Sequence, residues 1–406
     1  MSEVKTRKPR AKAAATGEAA TSPVVPVVLN EVRIVNKVFN AALSRATSLI
    51  ARTNTLPILG CVSLAAGNGR LTIESSNMEQ AMRQSVEISG QGFGGGCVDA
   101  ERLVAVVKRL PPDGETTLDF TGAALVLRCG TVRATLTAWP VADFPVFSVR
   151  DEESVSFAMP GIALATILEA VDHAVSQEQT RFYLCGVCLE AVGEGEDARL
   201  RAAATNGNDL ALATTALPEG AETMPRIIIP SPAAAELKKT LRGHEVVDLK
   251  VNPAAIVVTM GDLVLSSKLI SASFPNCDRV VPGPGPHVLT VSPKALIDVI
   301  ELASLFTKDE KKKPWVRMAF TDHGVGVRGG EGNDQIVAEL PAESFTYAGP
   351  RLELNLTAFS LVEPAKVMAT WRPEARLVFS LWPEAPFLCV PTEGEDVIFV
   401  SGPLKG

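Results

Sequence analysis

The sequence predicts an α+β protein built from three domains in series, each containing two helix-plus-sheet units. Three observations support this prediction. The chain of 406 residues is longer than the roughly 250–300 residues at which a single hydrophobic core stops growing. Its first two thirds contain an internal repeat, and helix candidates alternate with groups of short strand candidates throughout. We expect a tail over 1–28 and domains over 29–150, 151–283 and 284–406.

The internal repeat is visible in two landmarks. Leu71–Asn77 (Leu-Thr-Ile-Glu-Ser-Ser-Asn) recurs as Leu200–Asn206, 129 residues later, each time after an apolar, strand-like segment. Asp143-Phe144-Pro145 recurs as Ser273-Phe274-Pro275 at an offset of 130 residues. Nearly equal offsets of two separate landmarks predict two copies of one domain.

The order of predicted elements repeats a third time in the last 120 residues. Three helix candidates belong to the repeating pattern: Ala100–Arg109, Ser231–Arg242 and Pro293–Thr307. The strand candidates, most of which follow them, are Leu59–Leu64, Thr117–Phe120, Ala124–Cys129, Leu184–Leu189, Asp248–Val251, Ala255–Met260, Trp315–Phe320, Gly324–Arg328 and Ile336–Leu340. A helix followed by several strands therefore occurs about six times.

The first helix candidate, 37–52, shows that the helices have two faces. Its apolar residues stand at i, i+4, i+7 and i+11 and form one stripe: Phe39, Leu43, Ala46 and Ile50. Such a stripe packs on a sheet, while Arg45 and Arg52 point away from it. The cations of this helix are therefore predicted to face solvent or a charged ligand.

Composition places the chain among water-soluble globular proteins. Apolar residues make up 46% and charged residues 21%, and no apolar stretch is long enough to span a bilayer. The basic first 28 residues lack an apolar segment of the signal-peptide kind, so we expect a disordered tail. Seven cysteines without regular spacing suggest buried thiols in a reducing compartment, which predicts the cytoplasm.

Charge is distributed unevenly between helices and the remaining chain. The protein carries a net charge of −7, yet the six predicted helical segments together carry +7. If these helices share one surface, that surface attracts phosphates without reading sequence. The alternative is that Lys and Arg are simply good helix formers. No base-reading motif such as a zinc finger or a basic zipper occurs.

Two motifs could indicate another function. Gly90–Gly95 matches G-x-G-x-x-G after a strand, which would suit a dinucleotide-binding enzyme, but the next helix begins near Asp99 and not at the third glycine. Cys185 and Cys188 form a C-x-x-C without a second pair for zinc, so core thiols are expected. The four histidines form no metal or triad pattern. We therefore predict a protein with no catalytic residues, no metal and no cofactor.

Six short segments in a fixed order carry a family resemblance over about residues 30–406. They are Thr55-Leu-Pro-Ile-Leu-Gly60, Ala142-Asp-Phe-Pro145, Arg181-Phe-Tyr-Leu-Cys-Gly186, Ala204-Thr-Asn-Gly-Asn-Asp-Leu-Ala211, Ile228-Ile-Pro230 and Ser267-Lys-Leu-Ile-Ser-Ala-Ser-Phe-Pro275. In these segments the chain resembles the bacterial DNA sliding clamp, the beta subunit of DNA polymerase III. A diverged accessory clamp for a specialised polymerase is the alternative within that family.

The resemblance implies a function, a fold and an assembly. The function is that of a non-catalytic processivity factor, which encircles duplex DNA and tethers the replicative polymerase. Family members form head-to-tail homodimers in which twelve helices line the hole and antiparallel sheets lie outside. Partners bind through short linear peptides of DNA polymerase and clamp-loader subunits.

The resemblance also implies site residues. The peptide pocket would comprise Leu184, Thr205, Gly207, Leu210, Pro275, Arg279, Val280, Val400, Pro403 and Leu404. The DNA-facing cations would be Arg45, Arg52, Lys108, Arg109, Lys238 and Lys239. The dimer interface would join Ala134 and Leu136 of the first domain to Leu305 and Phe306 of the third.

The chain departs from the family pattern in two places near the pocket. Asn208-Asp209 stands where the family usually has His-Arg, and Gly402-Pro-Leu-Lys-Gly406 replaces the usual Met-Pro-Met-Arg-Leu ending. Asp209 would put a carboxylate where the family has a cation. We therefore predict that acidic peptide flanks are repelled and that basic or neutral flanks are preferred.

Overall fold

The structure is a computed structural model, and it describes residues 31–50, 56–145, 147, 153–307, 314–394 and 396–404. The predicted basic tail over 1–28 and the predicted DNA-facing Arg52 lie outside these residues. Within the described ranges, no helix is long and apolar enough to cross a membrane.

The first part of the chain folds as strand, helix and strands, twice. Its elements are β1 (Val32–Val35), α1 (Asn36–Ala46), β2 (Cys61–Gly67), β3 (Arg70–Ser76), β4 (Gln80–Glu87), β5 (Ser89–Gly90), β6 (Phe93–Asp99), α2 (Ala100–Val107), β7 (Glu115–Thr121), β8 (Ala124–Cys129) and β9 (Val132–Trp139). The α2 helix begins at Ala100 because the Asp99 carboxylate accepts a hydrogen bond from the Arg102 backbone N–H at 2.8 Å.

The second part repeats this order. Its elements are β10 (Val155–Pro160), α3 (Gly161–Asp172), β11 (Gly186–Val192), β12 (Arg199–Thr205), β13 (Asp209–Ala216), β14 (Ile227–Pro230), α4 (Ser231–Leu241), β15 (Val246–Val251), β16 (Ala255–Met260) and β17 (Leu263–Lys268). Pro232 occupies the first turn of α4, where a missing backbone N–H costs nothing.

The third part repeats it again. Its elements are β18 (His287–Val291), α5 (Pro293–Ser304), β19 (Trp315–Thr321), β20 (Gly324–Glu331), β21 (Asp334–Glu339), β22 (Phe345–Ala348), β23 (Leu352–Thr357), α6 (Ala358–Trp371), β24 (Leu377–Leu381), β25 (Phe387–Pro391) and β26 (Val397–Ser401). The α6 helix is capped at its start by Thr357, whose hydroxyl accepts from the Ser360 N–H.

The helices pack in pairs on one face of the antiparallel sheets. Helix α1 contacts α2, α3 contacts α4, and α5 contacts α6. Along β13, Ala211 and Ala213 belong to the core under α3 and α4, whereas Leu210 and Leu212 belong to a separate cluster on the opposite face. The predicted α+β class is confirmed, and the two faces follow from the period-two alternation of strands.

Two strand pairings continue the sheets from one part of the chain into the next. Strand β4 pairs with β17 from Gln80↔Ser267 to Gln84↔Leu263. Strand β13 pairs with β26 from Asp209↔Ser401 to Ala213↔Val397. These two joints make the three parts one continuous structure.

The first helix is shorter than the sequence predicts. Phe39, Leu43 and Ala46 are fully buried, as their spacing predicts. The helix ends at Ala46, however, and the Thr47 hydroxyl donates back to the Leu43 carbonyl at 2.8 Å. Ile50 therefore lies beyond the helix, although it still packs against the same core.

The glycine run near residue 90 belongs to strands and not to a phosphate loop. A Cβ at Gly90 would meet the Glu31 carbonyl oxygen at 2.2 Å, and one at Gly92 would meet the Ala66 carbonyl oxygen at 2.6 Å. Both glycines have positive φ angles, which other residues rarely adopt. Close strand packing thus explains these glycines, and no helix begins at Gly95.

Candidate functional site

The junction of β13 with β26 carries an apolar cluster on the face opposite the helices. Three predicted pocket residues, Leu184, Leu210 and Val400, are buried together there. Phe274 and Cys277, which the sequence analysis did not assign to the pocket, belong to the same cluster. The cluster joins the second and third parts of the chain, so any ligand on it would contact both.

The remaining predicted pocket residues differ in their exposure. Val280 is 55% and Leu404 39% exposed, and Pro403 is half-buried. Of the other predicted pocket residues, Thr205 is partly buried, and Gly207, Pro275 and Arg279 are exposed. The Leu404 N–H donates to the Asn355 carbonyl at 2.9 Å, which ties the C-terminal segment to β23.

An arginine that the sequence analysis missed supports one wall of the site. Arg226 donates from Nη2 to the Pro275 carbonyl at 2.9 Å and lies 5.8 Å from the centre of the Phe274 ring. Its Nε lies 3.0 Å from a Glu190 carboxylate oxygen. Glu190 also pairs with Arg201 at 2.9 Å. No local sequence pattern indicates this network because its members come from separate strands and a loop.

The neighbouring C-x-x-C is not a reactive pair. The Cys188 thiol is buried, and Arg226 Nε lies 3.3 Å from its sulfur. Burial raises the pKa of Cys188 to about 12, so the thiol stays protonated at neutral pH. Cys185 lies before β11 and approaches the Glu178 carbonyl at 3.3 Å. Cys188 is a core thiol, as the sequence analysis expected, whereas Cys185 is only partly buried.

Gly207 lies in the β12–β13 turn with a backbone conformation that favours glycine. Its φ is +94°, a value that other residues rarely adopt, which explains why glycine stands at this position. The Arg181 guanidinium covers the same turn and donates from Nη2 to the Asn206 carbonyl at 3.3 Å.

The prediction that Asp209 faces the pocket is wrong. Asp209 is only 6% exposed, and its Oδ1 accepts from Ser360 at 2.6 Å and from Ser401 at 2.7 Å. Its Oδ2 accepts from the Asn206 amide at 2.9 Å. Because side chains alternate along β13, Leu210 faces the cluster and Asp209 faces α6 on the other side. Asp209 is thus part of the joint between β13 and the third part of the chain.

The helix cations of the second and third parts are largely neutralised by carboxylates. Lys238 of α4 pairs with Asp172 of α3, and Arg242 pairs with Glu169 of α3. Lys239 pairs with Glu236 on its own helix at 3.2 Å. Lys366 of α6 likewise lies 3.0 Å from Glu301 of α5. Two predicted DNA-facing residues, Lys238 and Lys239, are therefore engaged in ion pairs.

The helices of the first part carry cations that make no ion pair with the described residues. These are Lys37 and Arg45 of α1, Arg102 of α2, and Lys108 and Arg109 just after α2, and all five are exposed. Arg45 donates to the Gln84 side chain at 3.4 Å, and Arg109 donates to the Ala105 carbonyl at 2.7 Å. Most of the accessible positive charge thus lies on or next to α1 and α2, and Lys294 of α5 is one further exposed cation without an ion pair to the described residues.

Two strands, one in the first and one in the third part of the chain, each leave an edge open. Strand β9 pairs with β8 along Val132–Thr137, but with β6 only at Ala138 and Trp139. Strand β21 pairs only with β20 among the described strands. Both therefore present unpaired backbone groups.

The predicted interface residues differ in their exposure. Leu305 and Phe306, next to β21, are 57% and 51% exposed. Leu136 of β9 is buried in its own core, and Ala134 packs against that core as well. An interface at β9 would therefore use the backbone edge and exposed neighbours such as Val132 more than the Leu136 side chain.

Comparison with known proteins agrees with this geometry. The DNA polymerase III beta subunit family matches through its N-terminal domain at residues 31–148 and its central domain at 158–276. The Beta sliding clamp of Caulobacter vibrioides is 30% identical over 373 residues, covering 90% of this chain and 96% of that protein.

Solved structures give the same result. The crystal structure of the Caulobacter crescentus beta sliding clamp superposes with a TM-score of 0.85 at 28% identity, covering 93% of this chain and 99% of that one. A sliding clamp from Bartonella birtlesii, bound to griselimycin, gives a TM-score of 0.85 at 25% identity with the same coverage.

The paired helices, the continuous sheets and these matches define a processivity factor of DNA replication. The chain belongs to the bacterial family of beta sliding clamps, the beta subunits of DNA polymerase III. It is accordingly a non-catalytic subunit, which works with DNA, a polymerase and peptide-bearing partners.

Proposed function

We propose that two copies of this chain close head to tail into a ring around duplex DNA, in the cytoplasm. Each protomer would contribute domains over 29–150, 151–283 and 284–406. Six helices per protomer would face the DNA, and the sheets would form the outer rim. The observation that carries this proposal is that β9 in the first part and β21 in the third part each leave an edge open, in a protomer whose described helices pack in pairs on the sheets.

The charges of the two edges favour pairing between unlike edges. Strand β9 exposes Arg133, whereas β21 exposes Asp334 and Glu339. An edge that meets its own copy would bring like charges together, while β9 against β21 brings opposite charges together. Two such contacts, related by a twofold axis, close a ring.

Retention on DNA should be topological. We expect protein loaded by a clamp loader onto nicked circular DNA to stay bound in high salt and to be released once the circle is cut. A ring that encircles DNA can leave only over an end, whereas electrostatic contacts are lost in salt. The measurement is gel filtration of labelled protein with DNA before and after linearisation. Equal retention on both DNA forms would contradict the ring.

Direct contact with DNA should depend mainly on the first part of the chain. We expect substitution of Arg45, Lys108 and Arg109 by glutamine to reduce the slope of log affinity against log salt by about one for each cation. Lys238→Gln, the matched control, should change the slope little because Asp172 already neutralises that lysine. The measurement is anisotropy of a fluorescent duplex at several salt concentrations. A larger effect for Lys238→Gln would overturn this assignment.

We further propose that the cluster around Leu184, Leu210 and Val400 binds short peptides of DNA polymerase and clamp-loader subunits. The buried apolar residues of this cluster, together with the exposed side chains of Val280 and Leu404, suit an extended peptide that inserts Leu or Phe side chains. With Asp209 directed away, charged peptide flanks would meet the exposed Arg279 and not a carboxylate at position 209.

Rim substitutions test this pocket without disturbing the buried floor. We expect Val280→Asp and Leu404→Asp each to weaken binding of a fluorescein-labelled peptide Gly-Gln-Leu-Phe-Gly by about tenfold or more. One well-buried apolar side chain contributes about 1.5–3 kcal/mol, and 1.4 kcal/mol is roughly tenfold in affinity. Ile162→Asp, at a similarly exposed apolar position on α3, is the control and should bind like the wild type. Unchanged binding in all three variants would exclude this site.

A further inference from the structure

The junction between the first and second parts of the chain is built like the one that carries the proposed peptide pocket. Asn77 Oδ1 accepts from the Gln80 N–H at 2.7 Å, and Asn206 Oδ1 accepts from the Asp209 N–H at 2.9 Å. Each turn leads into a strand that pairs with the following part of the chain, β4 with β17 and β13 with β26. The internal repeat therefore extends to the joints themselves.

The repeat also places a Phe-Pro loop over each joint. Phe144-Pro145 precedes the second part as Phe274-Pro275 precedes the third, and both phenylalanines are buried. Phe144 packs with Cys61 and Cys97 on the face opposite the helices. Phe274 packs with Cys188 and Ile228 on the same face of the other joint. The two outer surfaces are thus equivalent in construction.

The equivalent surfaces differ in how much space they leave. At the second joint, where β13 pairs with β26, the opposed side chains of Leu210 and Val400 fill the outer surface. At the first joint, where β4 pairs with β17, the equivalent opposed residues are Ala81 and Ser266. A cavity of about 230 Å³ is present there, and its lining includes Val141, Phe144 and Val264. Replacing Leu and Val by Ala and Ser removes side-chain volume and leaves this cavity.

The first-joint groove also differs in charge. Arg83 stands where the repeat places Leu212, and its side chain is 61% exposed. Arg83 Nε pairs with Glu74, and its Nη groups make no hydrogen bond to the described residues. A guanidinium has five N–H donors, so a second carboxylate can still bind. The groove therefore combines an apolar cavity with an available cationic donor.

We propose that this first-joint groove, defined by Ala81, Arg83, Val141, Phe144, Val264 and Ser266, is a second peptide-binding site. Its occupant is an extended peptide that inserts one large apolar side chain between Phe144 and Val264 and places a carboxylate beside Arg83. The cavity is smaller than the roughly 300–1,000 Å³ of a small-molecule site, which favours a side chain over a free ligand. This proposal depends on the proposed peptide pocket only because the two joints are built alike.

Photocrosslinking distinguishes the two sites in the full-length protein. The probe is Gly-Asp-Leu-Xaa-Gly, in which Xaa is benzoyl-phenylalanine, and crosslinked positions are mapped by mass spectrometry. We expect two sets of crosslinks in the wild type, one within 141–147 and one within 274–281. Leu210→Asp should abolish only the second set, and Ser266→Trp should abolish only the first by filling the cavity.

Arg83→Ala tests the groove without changing the apolar lining of the cavity. It should reduce the crosslinking yield of the Asp-containing probe at 141–147 about threefold to fivefold, because an exposed ion pair contributes little more than this to binding. The yield of the matching Asn probe should not change. Arg33→Ala, which also removes an exposed strand arginine, is the control.

The outcomes separate the two sites. Crosslinks within 274–281 but none within 141–147 would overturn the second site and leave the proposed pocket intact. Crosslinks within 141–147 alone would support the groove and contradict the proposed pocket. Crosslinking at neither position, or crosslinks at 141–147 that survive Ser266→Trp and ignore Arg83→Ala, would also overturn the groove.

Discussion

Replacement of Leu305 and Phe306 by aspartate is expected to convert the protein from a dimer into monomers. Both side chains are more than half exposed in the protomer. Because only about half of each side chain is still exposed, burying both contributes about 1.5–3 kcal/mol at one interface. A twofold head-to-tail ring contains this interface twice, so both contacts are weakened by one double substitution. Sedimentation velocity at micromolar concentration measures the result.

The control for this prediction is Ile162→Asp, which introduces the same charge at an equally exposed apolar position on α3. That variant should remain a dimer because the helical face takes no part in the proposed contact. A wild-type protein that sediments as a monomer would contradict the ring. A double variant that stays dimeric would show that β21 and its neighbours are not the interface.

Asp209→Ala is expected to destabilise the joint between β13 and β26 by about 3 kcal/mol or more. The buried carboxylate accepts hydrogen bonds from Ser360, Ser401 and Asn206, and hydrogen bonds to a charged group contribute about 1.5–3 kcal/mol each. The loss should appear as a lower midpoint in urea denaturation followed by tryptophan fluorescence. Peptide affinity should also fall, because the same strand positions Leu210 in the cluster.

Two further variants make this prediction specific. Asn208→Ala, at the exposed neighbouring position, should leave stability unchanged. Asp209→Arg, which would restore the residue type usual in the family, should destabilise at least as much as Asp209→Ala because a cation would be buried among serine hydroxyls. A stable Asp209→Arg protein with improved binding of acidic peptides would show that residue 209 faces the pocket after all.

Most of the element order could be predicted from the sequence because hydrophobic periodicity is a local signal. The predicted strands Ala124–Cys129 and Ala255–Met260 coincide with β8 and β16, and the helix predicted over 231–242 ends one residue earlier as α4. Helix ends were predicted less well. Residues 47–49 of the predicted 37–52 helix form a turn, in which both the backbone N–H and the hydroxyl of Thr47 donate to the Leu43 carbonyl.

The orientation of individual side chains could not be predicted at the junctions. The strand Asp209–Ala216 is apolar on both faces, so its pattern does not indicate which face residue 209 occupies, and a shift of one residue reverses the answer. The pairing of Lys238 with Asp172 was equally hidden, since the two residues come from neighbouring helices far apart in sequence. Family resemblance indicated a candidate site, but only the fold revealed which charges remain accessible.

The two internal joints determine where the proposed ring can bend. Each joint consists of five consecutive residue pairs between two antiparallel strands, from Gln80↔Ser267 to Gln84↔Leu263 and from Asp209↔Ser401 to Ala213↔Val397. Bending a protomer at either joint would shear a continuous antiparallel sheet, so each protomer behaves as a stiff arc. In the proposed ring, deformation would therefore be concentrated at the contacts between subunits. If one contact opened to admit DNA, the other contact and not the internal joints would act as the hinge.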